Sequence, residues 1–140
     1  MPPCTTEYRV IYSDCDPFDV VYYGRYLDFF ERGRTELFRT LGLSYKEIFE
    51  GGIALPVTDT RCKYHKSARY DDLLLIESAV GYLKKASIRF EHRIYHKETD
   101  TLLAEGYTVH AFVDYDRKIV RVPDEVAVKI ADFKESQGLS

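Results

Sequence analysis

A long amphipathic helix, followed by a run of long strands, constrains this sequence more than any other feature. Apolar residues recur at helical spacing and form a wide stripe: Tyr26, Phe30, Gly33, Leu37 and Leu41, with Leu27 and Phe38 beside them. The opposite face is expected to be solvated, because it carries charged residues four apart: Asp28, Arg32 and Glu36. Gly33 would let another backbone approach the helix closely, and Gly42 follows where the helix should end.

The rest of the chain is predicted to be mainly strand. A first strand is expected at Glu7–Tyr12, and a short helix at Ser44–Glu50 begins with a capping box of Ser44 and Glu47. Beyond Gly51-Gly52, segments rich in Val, Ile, Tyr and Thr alternate with turn-like stretches such as KETDT and DYDRK. The segments are Thr58–His65, Leu73–Leu83, Ser87–His96, Leu102–Asp114 and Ile119–Val122, and they precede a final helix at Asp124–Lys134.

This order of elements predicts an α+β domain in which one sheet wraps one long helix. A chain of 140 residues is long enough for one such domain, here residues 1–140. A sheet of this kind keeps open edges, so a homo-oligomer, a homodimer or homotetramer, is expected to cover them. Twelve tyrosines and eight phenylalanines fit a packed core, a large interface or an apolar ligand slot.

Composition excludes several classes of protein. The net charge of −3 argues against a nucleic-acid partner, which usually needs a basic domain. No segment has the apolar length of a membrane span, and the N-terminus lacks the apolar core of a signal peptide, so we expect a cytoplasmic protein. Three scattered cysteines, Cys4, Cys15 and Cys62, predict reduced structural thiols rather than a disulfide framework.

Metal and cofactor chemistry find little support in the sequence. No Cys or acid lies at ligand spacing around His92 and His96, and His65 and His110 stand alone. A G-x-S-x-G elbow and Gly-rich phosphate loops are absent. We therefore expect no metal and no cofactor.

The run DCDPFDVVYY, just before the helix, places three carboxylates within six residues: Asp14, Asp16 and Asp19. Aspartate is common in turns, so a turn or cap role is the ordinary interpretation. The other interpretation is a catalytic carboxylate, because a helix N-terminus presents unpaired N–H donors that suit a developing oxyanion.

The longer stretch DCDPFDVVYYGRYLDFFERGR resembles the signature of the 4-hydroxybenzoyl-CoA thioesterase family, which includes the YbgC-type acyl-CoA thioesterases. Supporting similarity lies in KYHKSARYDDLLLI, KKASIRFEHRI and GYTVHAFVDYDRKIVRVP, so the resemblance covers nearly the whole chain. It implies a hotdog fold, in which an antiparallel β-sheet wraps around one long central helix. It also implies hydrolysis of an acyl- or aroyl-CoA to the free acid and CoA, with CoA arriving as part of the substrate.

The resemblance also implies roles for single residues. Asp16 would be the catalytic carboxylate, acting as nucleophile or as general base for water. Backbone N–H groups near Tyr23 and Gly24 would bind the oxyanion, and the active site would lie at a dimer interface, with Asp16 facing the Thr58–Lys66 strand of the other subunit. The side chains of Tyr22 and Tyr23 would contact the acyl group, unless they are core or interface aromatics.

Three further positions carry two interpretations each. Glu31 matches an acid near the acyl group, but Arg34 is placed to pair with it. Lys84 and Lys85 match basic residues that meet the CoA phosphates, but two lysines in a hairpin turn are also an ordinary solvated pair.

Two positions depart from the family pattern. Asp19 stands where a glycine is usual, and Tyr23 stands where a histidine is usual. Aspartate tolerates the left-handed backbone, so the turn should survive, although a carboxylate so near Asp16 would raise the pKa of one of the pair. Two alternatives to an acyl-CoA thioesterase remain: an acyl-ACP thioesterase and a catalytically silent acyl-binding hotdog protein.

Overall fold

The computed structural model describes residues 4–136, which form a five-stranded antiparallel sheet with helices on one face. The strands lie in the order β1-β3-β4-β5-β2. Their bounds are β1 Cys4–Arg9, β2 Val57–Tyr64, β3 Leu73–Leu83, β4 Ser87–His96 and β5 Thr101–Ala111; the helices are α1 Arg25–Thr40, α2 Tyr45–Glu50 and α3 Asp124–Ser136. The predicted α+β architecture is confirmed. Across residues 4–136, no helix is long and apolar enough to cross a membrane.

The helix α1 fills the concave face of the sheet with its apolar stripe. Its buried residues are Tyr26, Phe29, Phe30, Gly33, Leu37 and Phe38. The first half packs in a cluster with Leu74, Ile76 and Ile94, and the second half packs with Val80, Ile88 and Phe90. The prediction was wrong for Leu27, which is 39% exposed, because the buried stripe turns toward Phe29 instead.

Gly33 lies where α1 comes nearest to the sheet. A Cβ at this position would overlap the Ser78 hydroxyl and would lie 2.8 Å from Ile76 Cγ2. The predicted close approach is confirmed, but side chains of β3 fill the space, not another backbone. Because a methyl group cannot fit, the absent side chain sets the distance between helix and sheet.

The end of α1 is a Schellman motif. Gly42 has a φ of 81°, its amide donates to the Arg39 carbonyl (3.0 Å), and the Leu43 amide donates to the Phe38 carbonyl (2.8 Å). The predicted stop at Gly42 is therefore confirmed. Ser44 then caps α2, as predicted, by accepting a hydrogen bond from the Glu47 amide (3.3 Å).

Three strand predictions were wrong in part, and one of them is Leu102–Asp114, because β5 ends at Ala111. The first strand is Cys4–Arg9 and not Glu7–Tyr12, because the chain leaves the ladder after Arg9 and enters a 3₁₀ turn at Tyr12–Asp14. The segment predicted as a strand at Ile119–Val122 forms no ladder: it has one isolated bridge, between Val113 and Ile119, and single hydrogen bonds from the Val120 and Val122 amides. In contrast, β3 and β4 have the predicted bounds.

The edge strand β2 pairs antiparallel with β5, and Cys62 lies opposite Gly106. A Cβ on Gly106 would overlap the carbonyl oxygen of Arg61, which is backbone and cannot rotate away. Seven of the eight residues of β2 are exposed, and only Cys62 is partly buried. Gly106 therefore lets β2 join the sheet, while the outer edge of β2 remains open.

We predict that Gly106→Ala lowers the free energy of unfolding by about 3 kcal/mol, the upper end of the usual cost of overpacking, because β2 must move away from β5. Urea denaturation at fixed protein concentration measures the change. Gly51→Ala is the matched control, since its nearest neighbours lie at 3.4 Å, an ordinary contact distance. An equal loss of unfolding free energy in both variants would show that the close contact of Gly106 with Arg61 is not the cause.

Candidate active site

A small hairpin connects the 3₁₀ turn to α1 and carries the acidic run. The Tyr22 amide donates to the Asp14 carbonyl (2.9 Å), and the Asp16 amide donates to the Val20 carbonyl (2.9 Å). Cys15 and Val21 form a bridge between these two bonds. The hairpin therefore holds Asp16 beside the segment that leads into α1.

The Asp14 side chain fixes this hairpin to the sheet. It is buried, and its Oδ2 accepts hydrogen bonds from the Tyr8 hydroxyl (2.7 Å) and from the Ile11 amide (3.0 Å). Burial, with the neighbouring Asp14 carboxylate, raises the pKa of Tyr8 to about 12, so this phenol stays a donor at neutral pH. The contacts of Asp14 are those of a structural residue, as expected for a carboxylate that bonds turn backbone.

Asp16 has a different environment, partly open to solvent. Its Oδ1 accepts a hydrogen bond from the Phe18 amide (2.8 Å), and among residues 4–136 its Oδ2 accepts none. The Asp19 amide donates to the Asp16 carbonyl (3.1 Å), and Asp19 has a φ of 61°. The prediction that aspartate would tolerate the left-handed position of the usual glycine is confirmed. The turn leaves one oxygen of Asp16 free to act on a ligand.

Two backbone amides at the start of α1 have no acceptor among residues 4–136. The N-cap is Gly24, and no side chain caps the helix. The Tyr22 amide is bonded to Asp14 and the Arg25 amide donates to the Tyr22 carbonyl, but the amides of Tyr23 and Gly24 donate to no acceptor within the described part of the chain. Unpaired donors at a helix N-terminus favour binding of negative charge.

Tyrosines surround this helix start. The rings of Tyr22 (46% exposed) and Tyr23 (64% exposed) lie 4.5 Å apart between centroids, and the Tyr22 ring covers Gly24. Tyr64, at the end of β2, donates its hydroxyl to the Tyr23 carbonyl (2.9 Å) and contacts the Tyr26 ring edge-on. Sequence reasoning did not single out Tyr64, although it shares a strand face with the partly buried Cys62.

Glu31 lies at a distance from the helix start, two turns along α1. It pairs with Arg34 at 3.7 Å, as the helical spacing predicted. Glu31 also borders a pocket of about 280 Å³ between α1, α2 and the segment before β2.

The Lys84–Lys85 pair is at the opposite end of the sheet from Asp16. Both lysines are exposed in the β3–β4 turn, and Lys84 Nζ lies 4.4 Å from the centre of the Tyr82 ring. A strand rises about 3.3 Å per residue, so the turn is roughly 30 Å from Leu74, which packs in the same cluster as Val21. Within one chain, these lysines therefore do not join Asp16.

Two histidines belong to a buried hydrogen-bonded network, so His110 does not stand alone. Ser78 Oγ lies 2.8 Å from His92 Nδ1, and Thr108 Oγ1 lies 3.3 Å from His92 Nε2 and 3.0 Å from His110 Nε2. Burial, with the nearby charges of Arg34 and His110, lowers the pKa of His92 to about 3. Burial also lowers the pKa of His110 to about 4, against the opposing effect of the Leu55 carbonyl. Both imidazoles are neutral at pH 7.

Comparisons with known proteins agree with this architecture. Residues 10–130 match the thioesterase-like superfamily. The acyl-CoA thioesterase YbgC of Haemophilus influenzae is 41% identical over 129 residues, which are 90% of this chain and 93% of that protein. The crystal structure of the DHNA-CoA thioesterase from Staphylococcus aureus has a TM-score of 0.89 at 27% identity, and covers 100% of this chain and 97% of that one.

A mutant 4-hydroxybenzoyl CoA thioesterase, solved in complex with 4-hydroxybenzoyl CoA, has the same fold. Its TM-score is 0.81 at 22% identity, with 91% of this chain and 99% of that chain covered. The sheet that wraps α1 is thus a hotdog fold, and the protein is a thioester hydrolase. The chain belongs to the thioesterase-like superfamily.

The buried histidines predict acid-sensitive stability. In the unfolded chain each histidine binds a proton near pH 6.5, whereas in the folded protein His92 and His110 do so only near pH 3 and 4. The unfolded state therefore binds more protons between these values. The free energy of unfolding should fall as the pH drops below 6.5, by about 1.4 kcal/mol per pH unit for each histidine.

Urea denaturation between pH 7 and pH 5 measures this slope. His92→Gln should reduce the loss of stability on acidification, whatever its effect at pH 7. A slope that is the same in His92→Gln would contradict the assignment.

Proposed function

We propose that the protein hydrolyses acyl- or aroyl-CoA thioesters to the free acid and CoA. The observation that carries the proposal is the arrangement at the start of α1. A carboxylate with a free oxygen, Asp16, is fixed by a short hairpin beside two unpaired amides, those of Tyr23 and Gly24. The similarity to the acyl-CoA thioesterase of H. influenzae supports CoA as the carrier of the acyl group.

In the proposed reaction, the thioester carbonyl oxygen accepts hydrogen bonds from the Tyr23 and Gly24 amides. Attack on the carbonyl carbon turns this oxygen into an oxyanion, which the amides and the helix dipole stabilise. Asp16 either attacks the carbon itself, giving an anhydride that water hydrolyses, or removes a proton from an attacking water. Either way the C–S bond breaks, CoA leaves as a thiol after protonation, and one water is consumed.

The exposed tyrosines have a role in the same proposal. Tyr22 covers Gly24, and Tyr23 is held through its carbonyl by Tyr64. Their rings provide an apolar surface for the acyl group next to the amides. The proposal requires no cofactor, since CoA enters as part of the substrate.

We propose that the active enzyme contains at least a homodimer formed by the outer edge of β2. This edge is open, and it carries exposed apolar side chains that a second copy would bury: Val57 and Tyr64 on β2, and Tyr23, whose carbonyl accepts from the Tyr64 hydroxyl. Antiparallel pairing of two β2 strands places the Tyr64 end of one against the Val57 end of the other. Asp16 of one subunit would then face β2 of its partner.

The same proposed pairing gives Lys84 and Lys85 a part in binding CoA. Val57 pairs with His110, and His110 pairs with Ile88, so the Val57 end of β2 is the end that carries the β3–β4 turn. Antiparallel association therefore brings the lysine turn of the partner subunit to the Asp16 end. In this arrangement the two ammonium groups are available to the CoA phosphates.

We predict that Asp16→Asn lowers kcat for acyl-CoA hydrolysis by about a hundredfold or more, because the amide neither attacks the carbonyl nor accepts the proton of water. Thiol release from short, medium, long and aromatic acyl-CoAs measures the rate. Asp19→Asn is the matched control and should retain most of the activity, since asparagine also tolerates a positive φ.

Full activity of Asp16→Asn would remove Asp16 from the mechanism. If the unaltered protein cleaves no CoA ester, the proposal of a CoA substrate fails. Turnover of acyl-ACP would then identify a carrier-protein thioesterase, and binding of acyl-CoA without turnover would identify a silent binding protein.

The dimer predicts the effect of a proline at the open edge. The His65 amide donates to the Leu103 carbonyl of β5, so alternation along the strand points the Thr60 amide away from β5. Thr60→Pro removes this outward donor and should convert dimers to monomers, as measured by light scattering after gel filtration. Thr60→Val keeps the amide and should remain dimeric. A dimer that survives Thr60→Pro would contradict association through β2.

A further inference from the structure

The pocket beside Glu31 contains polar groups that the proposed mechanism does not use. It has a volume of about 280 Å³ and lies between α1, α2 and the segment that leads into β2. Apolar side chains from Phe49, Ile53 and Leu55 line one part of it. Arg34 and Tyr45 line another part, and neither was a candidate for binding on sequence grounds.

Among residues 4–136, the buried hydroxyl of Tyr45 has no partner at hydrogen-bond distance. Its ring is stacked on Phe38, with centroids 4.5 Å apart and planes at 13°, so the hydroxyl cannot easily turn away. Burial raises the pKa of Tyr45 above its ordinary value, and Arg34 opposes this rise. The phenol is therefore a neutral donor, and an unpartnered buried donor costs about 1–3 kcal/mol.

Arg34 lies beside the Tyr45 hydroxyl and has no close ionic partner among residues 4–136. Its side chain is 12% exposed, and its only ion pair within residues 4–136 is with Glu31 at 3.7 Å, which is longer than a hydrogen bond. The Glu31 side chain is 70% exposed, so solvent screens it. The charge of Arg34 contributes to the lowered pKa of His92 and His110, as expected for a cation that its neighbours do not neutralise.

We propose that this pocket binds a carboxylate at the far end of the acyl group, with Arg34 and Tyr45 as donors. The substrates would then be CoA monothioesters of dicarboxylic acids. This inference rests on the proposed function and specifies its substrate class. A carboxylate accepts hydrogen bonds from the guanidinium and from the phenol at once, and so satisfies both groups.

The position of the pocket suits the end of an acyl chain. Ten residues of α1 separate Gly24 from Arg34, which is roughly 15 Å along the helix axis, and long helical side chains point back toward the N-terminus. The apolar side chains of the pocket would contact the methylene groups of the chain.

Substitutions of Tyr45, Arg34 and Glu31 are expected to change the rate for dicarboxylic substrates in opposite directions. Removing a donor to a carboxylate should lower the rate for dicarboxylic substrates, so Tyr45→Phe and Arg34→Gln are expected to be harmful. Glu31 competes for Arg34 and repels a second carboxylate, so Glu31→Gln is expected to help. A purely structural role for these residues would not produce this pattern of signs.

The test compares adipyl-CoA with hexanoyl-CoA, which have equal chain length and differ by the terminal carboxylate. The unaltered enzyme should have the higher kcat/KM for adipyl-CoA. Tyr45→Phe and Arg34→Gln should each lower the ratio of the two kcat/KM values by about tenfold or more, the usual effect of losing a hydrogen bond to a charged group. Glu31→Gln should raise the ratio. Tyr107→Phe, the same change on the outer face of the sheet, should leave it unaltered.

Binding provides a second measurement that does not depend on turnover. Asp16→Asn protein should bind adipyl-CoA more tightly than hexanoyl-CoA in calorimetry, and addition of Tyr45→Phe should remove the difference. Two results would overturn the carboxylate site and leave the proposed function intact. One is equal hydrolysis of hexanoyl-CoA and adipyl-CoA; the other is a ratio of kcat/KM values that Tyr45→Phe and Arg34→Gln do not change. A preference for ω-hydroxyhexanoyl-CoA would also overturn it. Failure to cleave any CoA ester would refute the proposed function itself.

Discussion

The close contact of α1 with the sheet at Gly33 is the constraint on which the rest of the structure depends. The sheet can wrap the helix only because no side chain separates Gly33 from Ser78 and Ile76. The same contact buries Ser78, which is hydrogen-bonded to His92. The His92 ring in turn stacks on Phe30 of α1, with ring centroids 4.5 Å apart. The packing fixes the middle of the helix against the sheet, and the proposed catalytic site lies at the N-terminus of the same helix.

The three carboxylates of the acidic run are close in sequence but have different environments and different roles. Asp14 is buried and bonds Tyr8 and the backbone at Ile11, which fixes the hairpin. Asp19 adopts the left-handed conformation that the turn requires. Asp16, between them, is left partly open, with one oxygen free for chemistry. Environment, and not residue type, therefore separates the structural acids from the proposed catalytic acid.

Much of the fold could be predicted because it depends on local patterns. Alternation gave the bounds of β3 and β4, and helical spacing gave α1 with its stop at Gly42. The predictions failed where tertiary contacts, and not local sequence patterns, determine the structure. In α1, Phe29 is buried and Leu27 is exposed, although the helical spacing predicted the reverse for Leu27. The segment Ile119–Val122 makes single hydrogen bonds where a strand ladder was expected; for example, the Val122 amide donates to the Lys85 carbonyl in the β3–β4 turn.

The candidate site could be predicted only in part, for a related reason. The motif around Asp16 is contiguous, so a resemblance can point to it. The pocket of Arg34 and Tyr45 joins two helices and a loop, and its signal is a missing hydrogen bond. Sequence does not report missing partners. The lysines at the β3–β4 turn show the same limit, because their distance from Asp16 within one chain depends on strand direction.

The most direct test of the central claim is a crystal structure of Asp16→Asn protein bound to an intact acyl-CoA. The account predicts the thioester carbonyl oxygen 2.7–3.1 Å from the amide nitrogens of Tyr23 and Gly24, the usual distance for an oxyanion hole. The residue at position 16 should lie beside the carbonyl carbon. A carbonyl oxygen bound away from the start of α1 would contradict the account, and the unpaired amides would then have no part in catalysis.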